Sequence, residues 1–309
     1  MSMELQYLDL LKDVLNNGDD RIDRTQVGTR SVFGRQIRGD LEQGFPLITT
    51  KLTAFKPILG ELLWFVEGSS DERRLAEITY GTRDPSRTTI WTANANADYW
   101  KPKAKFEGDL GRVYGVQWRD WTTTTLKGSG DNLSHPDGGY TYFDAKVLVE
   151  KFDQLKNIVN TIKTNPADRR MVLTAFNVGE MNQMALPPCH MFAQFHVNAR
   201  TDKLSCQVYI RSNDLFLGLP FNIASYAILT QMIAQVTGKG LGELIITIGD
   251  AHIYKNHFSQ VEEQLSRGMF VPPELFINPE VKDIDGFKME DFTLEGYQSH
   301  PAIKAPMAV

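Results

Sequence analysis

Leu5, Leu8, Leu11 and Leu15 recur at helical spacing and Gly18 follows them, so the chain is predicted to open with an amphipathic helix closed by glycine. Residues 31–41 have strand character. Pro57 near the beginning and Gly68 just past the end frame a second helix through Ile58, Leu59, Leu62, Leu63, Trp64 and Phe65, too apolar to lie on a surface. Val149, Phe152, Leu155, Val159 and Ile162 form one apolar stripe, which predicts a helix that stops before Asn165-Pro166. Strands then dominate at 171–176, 191–197 and 204–211, the last alternating Leu204, Cys206, Val208 and Ile210 with polar neighbours. Residues 221–237 are apolar nearly all round with Gly238 behind, the pattern of a buried central helix. A strand at 244–248 and a polar helix around 257–265 complete an α+β order. Between Trp121 and Phe143 a run of threonines, glycines, Asp, Asn, Ser, His and Pro predicts a loop or irregular hairpin.

The 309 residues are 42% hydrophobic and show no internal repeat or linker-like change of composition, so one large domain with a full core is expected. A formal charge of −5 argues against non-specific adhesion to nucleic acid or to an anionic membrane. Any anion must therefore meet a local cluster of positive charge. Two cysteines, Cys189 and Cys206, cannot build a disulfide framework or a four-cysteine zinc site, and they point to a reducing compartment. Glu4, Asp9, Lys12 and Asp13 among the first apolar positions fit neither a signal peptide nor a membrane span, so a cytoplasmic protein is expected.

Glu61 has Pro57, Ile58, Trp64 and Phe65 as its same-face neighbours and should point into the core. Desolvation there raises a carboxyl pKa, which suits a general acid or proton relay; a bond to buried backbone or a salt bridge accounts for it equally. Cys189 follows Pro187-Pro188, which stiffen its approach and exclude a helix. A lone cysteine is more often buried and inert than nucleophilic. His190, its neighbour in an extended segment, points to the opposite face and is a poor candidate for a base, and Cys206 belongs to the apolar face of its strand. Arg24, the pair Arg169-Arg170 and Arg211 followed by Ser212 offer guanidinium forks and a hydroxyl suited to a phosphate, or plain surface ion pairs. Asn222 can read a base edge through its amide or cap the buried helix, and capping is the simpler expectation.

Ala185-Leu186-Pro187-Pro188-Cys189-His190, Arg211-Ser212-Asn213-Asp214, residues 218–226 (GLPFNIASY) and Gly249-Asp250-Ala251-His252-Ile253-Tyr254 closely resemble the thymidylate synthase family, over a span from Asp23-Arg24-Thr25 to the last residue. The resemblance implies a single α+β domain with a mixed β-sheet packed by helices, and a symmetric homodimer formed through sheet faces with arginines shared across the interface. It implies that the Cys189 thiolate adds to C6 of dUMP, turning C5 into a carbon nucleophile that captures the one-carbon unit of 5,10-methylenetetrahydrofolate, with no metal. An unactivated pyrimidine C5 is a weak nucleophile, which is the physical reason for covalent addition. By the same resemblance Arg211, Arg24, Ser212 and the partner's Arg169 and Arg170 would form the phosphate cage. Asn222 would tell uracil from cytosine, in place of a cap, while His252 and Tyr254 would bond the sugar hydroxyl. Glu61 would relay protons and Tyr114 would sit near the C5 proton. Asp214 would bond the pterin between walls of Ile90, Trp91, Leu217, Gly218 and Phe221, with Lys51 facing the glutamate tail. Residues 305–309, ending in Val309, would be a mobile tail that closes over both ligands.

The sequence departs from the family's usual pattern at Gln26 for glycine, Thr92 for aspartate and Arg112 for proline. Thr92 and Arg112 flank the folate-side tryptophan and the catalytic tyrosine, so they bear on the fate of the methylene group once it has reached C5. The leading expectation is reductive methylation of dUMP to dTMP, giving dihydrofolate. The alternative is a phage-type dUMP hydroxymethylase in which water takes the place of hydride. A dCMP hydroxymethylase fits less well, because its matching position resembles aspartate and here it is Asn222. An idle nucleotide- or RNA-binding regulator fits poorly with Cys189, Glu61 and Tyr114 all retained.

Overall fold

The structure is a computed structural model that describes residues 2–22, 27–127, 133–134, 140–141 and 146–306. In chain order the first half carries helix α1 (Met3–Asn17), strands β1 (Asp19–Arg21) and β2 (Thr29–Asp40), and helices α2 (Phe55–Glu67), α3 (Glu72–Tyr80), α4 (Thr92–Ala95) and α5 (Tyr114–Arg119). The middle holds strands β3 (Trp121–Lys127), β4 (Leu133–Ser134), β5 (Tyr140–Thr141) and β6 (Lys146–Phe152), helix α6 (Gln154–Thr164), and strands β7 (Val172–Thr174), β8 (His190–Val197) and β9 (Lys203–Asp214). Helix α7 (Leu219–Thr237), strand β10 (Gly240–Tyr254), helix α8 (Phe258–Leu265) and strands β11 (Glu274–Ile277) and β12 (Phe292–Glu295) complete the chain order.

Six strands form one mixed sheet in the order β1-β2-β10-β9-β8-β7, in which only β9 and β10 run parallel. One face lies under α1 and α7. The apolar alternation of β9 supplies that face, with Leu204, Cys206, Val208 and Ile210 wholly buried. Helix α7 has no polar side to spare: Ile223, Ala224, Ile228, Leu229, Met232 and Ile233 are all buried, and each large aliphatic side chain contributes about 1.5–3 kcal/mol relative to exposure. Gly238, in the left-handed region at φ 69°, ends it. The opposite face of the sheet is open, with Phe192 stacked on Tyr209 and a polar row in which the Gln36 and Gln207 amides both donate to Thr247 Oγ1, at 2.9 and 3.2 Å.

One expectation from the pattern changes and another narrows to one of its alternatives. Val149 and Phe152 lie on strand β6 and are exposed, because Asp153 caps α6 by accepting from Lys156 N–H, so the apolar stripe of that helix begins at Leu155. Residues 121–127, expected to begin a loop or irregular hairpin, take the paired alternative and form an antiparallel ribbon with β6, Trp121 opposite Phe152 through Lys127 opposite Lys146. Much of the expected variable segment at 122–143 lies outside the described residues.

Candidate active site

Cys189 sits immediately before β8, and its neighbour β9 holds it in place. The backbone N–H of Arg211 donates to the Cys189 carbonyl at 2.9 Å, while the Arg211 guanidinium donates from Nε to the Pro188 carbonyl at 2.9 Å and from Nη2 to the Pro187 carbonyl at 3.0 Å. Two prolines that cannot donate to a ladder thus have their carbonyls tied by one cation. The same Nη2 stands 3.8 Å from Cys189 Sγ. On the other side the Cys189 N–H donates to Tyr114 Oη at 2.8 Å.

Tyr114 opens α5 with a positive φ of 23°, a costly conformation for a non-glycine residue. Its ring stacks on Phe65 at 4.9 Å and on His190 at 4.1 Å. Gly115 permits this approach, since a Cβ there would stand 2.3 Å from the Phe65 carbonyl oxygen. Burial and the nearby Cys189 sulfur push the Tyr114 phenol well above its ordinary value. His190 is held through Nδ1 at 2.8 Å from Tyr226 Oη, and burial lowers its pKa to about 3, which leaves it neutral and unsuited to act as the base for Cys189.

Glu61 projects from α2 into this cluster. Burial raises its pKa to about 7, opposed only by the Trp91 indole N–H, which donates to Oε1 at 2.7 Å. A carboxyl poised there exchanges protons in either direction at neutral pH. Its charge also raises the phenols of Tyr114 and Tyr226. Cys206, by contrast, is fully buried and burial pushes its thiol up to about 12, as suits a packing residue.

The carboxyl ends of β9 and β10 bring the remaining polar groups together. Ser212 pairs with Asp250 and Asp214 with His252 across the parallel register. His252 Nδ1 lies 3.2 Å from Asp250 Oδ1 and its ring meets Tyr254 edge-on at 5.3 Å. Asp214 Oδ1 accepts from the N–H groups of Phe216 and Leu217 at 2.9 and 3.1 Å, shaping the turn into α7. The cap of α7 is Gly218, so Asn222 lies inside the helix and does not cap it. Instead Asn222 Oδ1 accepts from Asn213 Nδ2 at 3.1 Å. Asn213 is a buried residue whose role sequence reasoning missed; the inward phase of β9 shifts by one residue after Ile210, and the simple alternation predicts the wrong face.

Not every expected residue joins the cluster. Arg24, Gln26 and Val309 lie outside the described residues. Arg169 and Arg170 are exposed ahead of β7, and Arg170 is paired with Asp168 at 2.7 Å. Lys51, expected to face a glutamate tail, is turned inward: its ammonium donates to the Phe216 carbonyl and lies 3.6 Å above the Phe216 ring, and burial lowers its pKa to about 7. Ile90 is 52% exposed, Trp91 is buried, and Leu217, Gly218 and Phe221 are half-buried. Pro57, Glu61, Ile90 and Phe221 share one small cleft. The larger cavities, about 620 and 580 Å³, lie elsewhere, so chemistry and not volume marks this site. His257, missed in the sequence because it opens a polar helix, is wholly buried and donates from Nε2 to the Pro306 carbonyl at 2.7 Å.

Two of the departures have partners in the fold. Thr92 Oγ1 donates to Glu72 Oε1 at 2.6 Å. Arg112 donates from Nε to Glu180 at 2.5 Å and from Nη2 to the Asp120 carbonyl and to Thr122 Oγ1. Among the described residues no helix is long and apolar enough to cross a membrane, and no three His, Cys, Asp or Glu side chains gather as a metal site would require. A family model described as thymidylate synthase matches residues 5–309, essentially the whole length. With that match and a mixed sheet packed by helices, the chain belongs to the thymidylate synthase family, transferases that use a folate-borne one-carbon unit at C5 of a pyrimidine deoxynucleotide.

Proposed function

We propose that the protein methylates dUMP reductively to dTMP, with 5,10-methylenetetrahydrofolate supplying both carbon and hydride and leaving as dihydrofolate. The observation that carries this reading is a cysteine sulfur 3.8 Å from a fixed guanidinium, with Tyr114 Oη accepting from the Cys189 N–H and a desolvated carboxyl, Glu61, whose pKa is about 7 and whose charge acts on Tyr114. Sulfur attacks C6 of the uracil ring, and the electron pair moves to C5, which forms the new carbon–carbon bond. The C5 proton then leaves toward Tyr114 as the carbon–nitrogen bond to the folate breaks, giving tetrahydrofolate and an exocyclic methylene at C5. Hydride from that tetrahydrofolate reduces the methylene, leaving dihydrofolate, and the electron pair returned to the ring expels the Cys189 thiolate from C6. Arg211 offers positive charge to the anionic sulfur and to the phosphate of dUMP, with Ser212 beside it and Arg24 completing the cage. Glu61 moves protons to and from the one-carbon donor and the pyrimidine carbonyl.

Asn222 reads the base. Its oxygen keeps a second lone pair for the ring N–H of uracil, and its amide hydrogens meet a carbonyl that cytosine lacks. His252 and Tyr254 take the sugar hydroxyl. The exposed Ile90, buried Trp91 and half-buried Phe221, together with the Asp214 carboxylate, fit a flat ring bearing N–H donors, so these residues with Leu217 and Gly218 would hold the folate. Lys51 acts on that side as a prop beneath the 214–217 turn. The His257–Pro306 bond anchors the start of the tail that would close over both ligands. Thr92 and Arg112 are engaged by Glu72 and Glu180, which supports a folate pocket left intact and hydride transfer over capture by water.

The open sheet face, with Phe33, Val172 and Phe192 exposed, suits a second copy of the chain. Exposed Arg169 and Arg170 would then serve the partner's phosphate site. The test of the reading is intact-protein mass after rapid acid quench of a turnover mixture. A nucleotide-sized adduct mapping to Cys189 is expected, absent in Cys189→Ser, while dUMP affinity of that variant stays within about tenfold because the cage holds the ground state. Normal turnover by Cys189→Ser overturns the assignment.

A further inference from the structure

Glu72, the first residue of α3, is a carboxylate only 2% exposed that lies outside the catalytic cluster. Arg73 grips it from Nε to Oε2 at 2.6 Å and from Nη2 to Oε1 at 2.5 Å, while Arg73 Nη1 also donates to the Asp84 and Arg87 carbonyls at 2.8 and 3.2 Å. One cation therefore joins α3 to the segment leading to Trp91. Glu72 Oε1 then accepts both the Thr89 and the Thr92 hydroxyls, each at 2.6 Å. These two threonines bracket Trp91: the Trp91 N–H donates to Thr89 Oγ1 at 3.2 Å, and the Thr89 N–H donates to Thr92 Oγ1 at 2.8 Å. The indole N–H at the end of this chain of bonds is the one that reaches Glu61 at 2.7 Å.

We infer that Glu72 is a positioning residue: by holding Thr89 and Thr92 it fixes the Trp91 indole on Glu61 and so sets the proton affinity of the carboxyl that does the acid–base work. The inference rests on the reading of Glu61 given above. A buried charge is costly unless every lone pair is used, and here the carboxylate is spent on one guanidinium and on the two hydroxyls that hold the tryptophan loop. Glutamine cannot replace it, because an amide has one acceptor oxygen and would turn its own hydrogens toward Arg73. Glu61 is otherwise faced by Tyr114 from α5 and Tyr226 from α7, with Cys189 and His190 behind Tyr114. Of these only Tyr114 meets the network, its ring edge-on to Trp91 at 5.8 Å, and no hydrogen bond links any of them to Glu72, Thr89 or Thr92.

The experiment compares turnover, KM and pH profile in Glu72→Gln, in Glu61→Gln and in the wild type. For Glu72→Gln turnover is expected to fall about tenfold with KM for dUMP changed less than about twofold. The limb of its pH profile that reports Glu61 should move to higher pH, since the indole bond that favours the carboxylate is loosened. Adding Thr92→Asp reverses the polarity of the bond, an amide at 72 now donating to a carboxylate at 92, and should bring turnover back to within about threefold of wild type. A folded Glu72→Gln with wild-type turnover and pH profile overturns the inference, as does a loss that Thr92→Asp leaves unrestored. If Glu72→Gln does not fold, Thr89→Val with Thr92→Val removes both hydroxyls, keeps the Glu72–Arg73 pair and is read by the same turnover and pH shift; unchanged values overturn the inference. Wild-type turnover in Glu61→Gln overturns the reading of the site itself, whereas an inactive Glu61→Gln beside an unaffected Glu72→Gln removes only the positioning role.

Discussion

Replacing Glu61 by glutamine should stabilise the protein at alkaline pH while it stops catalysis. Burial raises this carboxyl from 4.5 to about 7, so the folded state binds its proton more tightly than the unfolded state does. Below the unfolded value both states are protonated and the site costs nothing through ionisation. As pH climbs from 4.5 toward 7 the unfolded chain releases its proton first and stability falls, and above about 7 the penalty is constant. A displacement of about 2.5 units at about 1.4 kcal/mol each makes that penalty about 3.5 kcal/mol, of which about 1 kcal/mol or slightly less is already present at pH 5. Glutamine has no proton to release and keeps an oxygen for the Trp91 N–H. The stability advantage of Glu61→Gln over wild type should therefore grow by about 2–3 kcal/mol between pH 5 and pH 8.5. Urea unfolding of both proteins at matched concentration and several pH values reads this directly. An advantage that is flat in pH, or that shrinks as pH rises, refutes the picture of a desolvated carboxyl, whatever the activity of the variant.

Other outcomes rest on separate contacts. Asn222→Asp should weaken dUMP relative to dCMP, because a carboxylate repels the uracil carbonyl and accepts from the cytosine amino group; an unchanged preference in competition binding removes Asn222 from base reading. His257→Phe keeps the ring and loses the bond to the Pro306 carbonyl. At about 1 kcal/mol for such a bond the KM for folate should rise about fivefold with dUMP affinity unchanged, and an unaltered KM would dismiss the latch. Phe192→Glu places a charge on the open sheet face, on the strand next to the β7 edge, so sedimentation should show a dimer turned to monomer and turnover lost with it; a wild-type monomer with full activity contradicts the shared-arginine arrangement.

Much of this architecture was legible because it depends on local pattern. The all-round apolar run of α7, the alternation of β9 and the glycine after α2 each state their element without tertiary help. Glu61 was also legible, since its neighbours at helical spacing are apolar and a carboxylate among them has nowhere else to go. The failures arise where one capping or long-range bond decides. Asp153 captures the helix start and hands Val149 and Phe152 to a strand. Gly218 takes the cap that local pattern alone offered to Asn222, and Asn213 orients Asn222 through a bond visible only once β9 has shifted phase. Glu72 gives no local sign at all, because its hydroxyl partners lie 17 and 20 residues along the chain. Lys51 carries an ordinary surface-lysine signal, and only the fold reveals that the Phe216 carbonyl and ring draw it inside.

The central claim is that the methylene group on C5 is reduced by hydride and not captured by water, and one incubation decides it. The protein is mixed with dUMP and 5,10-methylenetetrahydrofolate in water enriched in oxygen-18, while dihydrofolate is followed by absorbance and the nucleotide product by mass. One dihydrofolate per dTMP, with no heavy oxygen in the nucleotide, is the predicted result. A product heavier by one hydroxymethyl group that carries oxygen-18, formed without dihydrofolate, would contradict it.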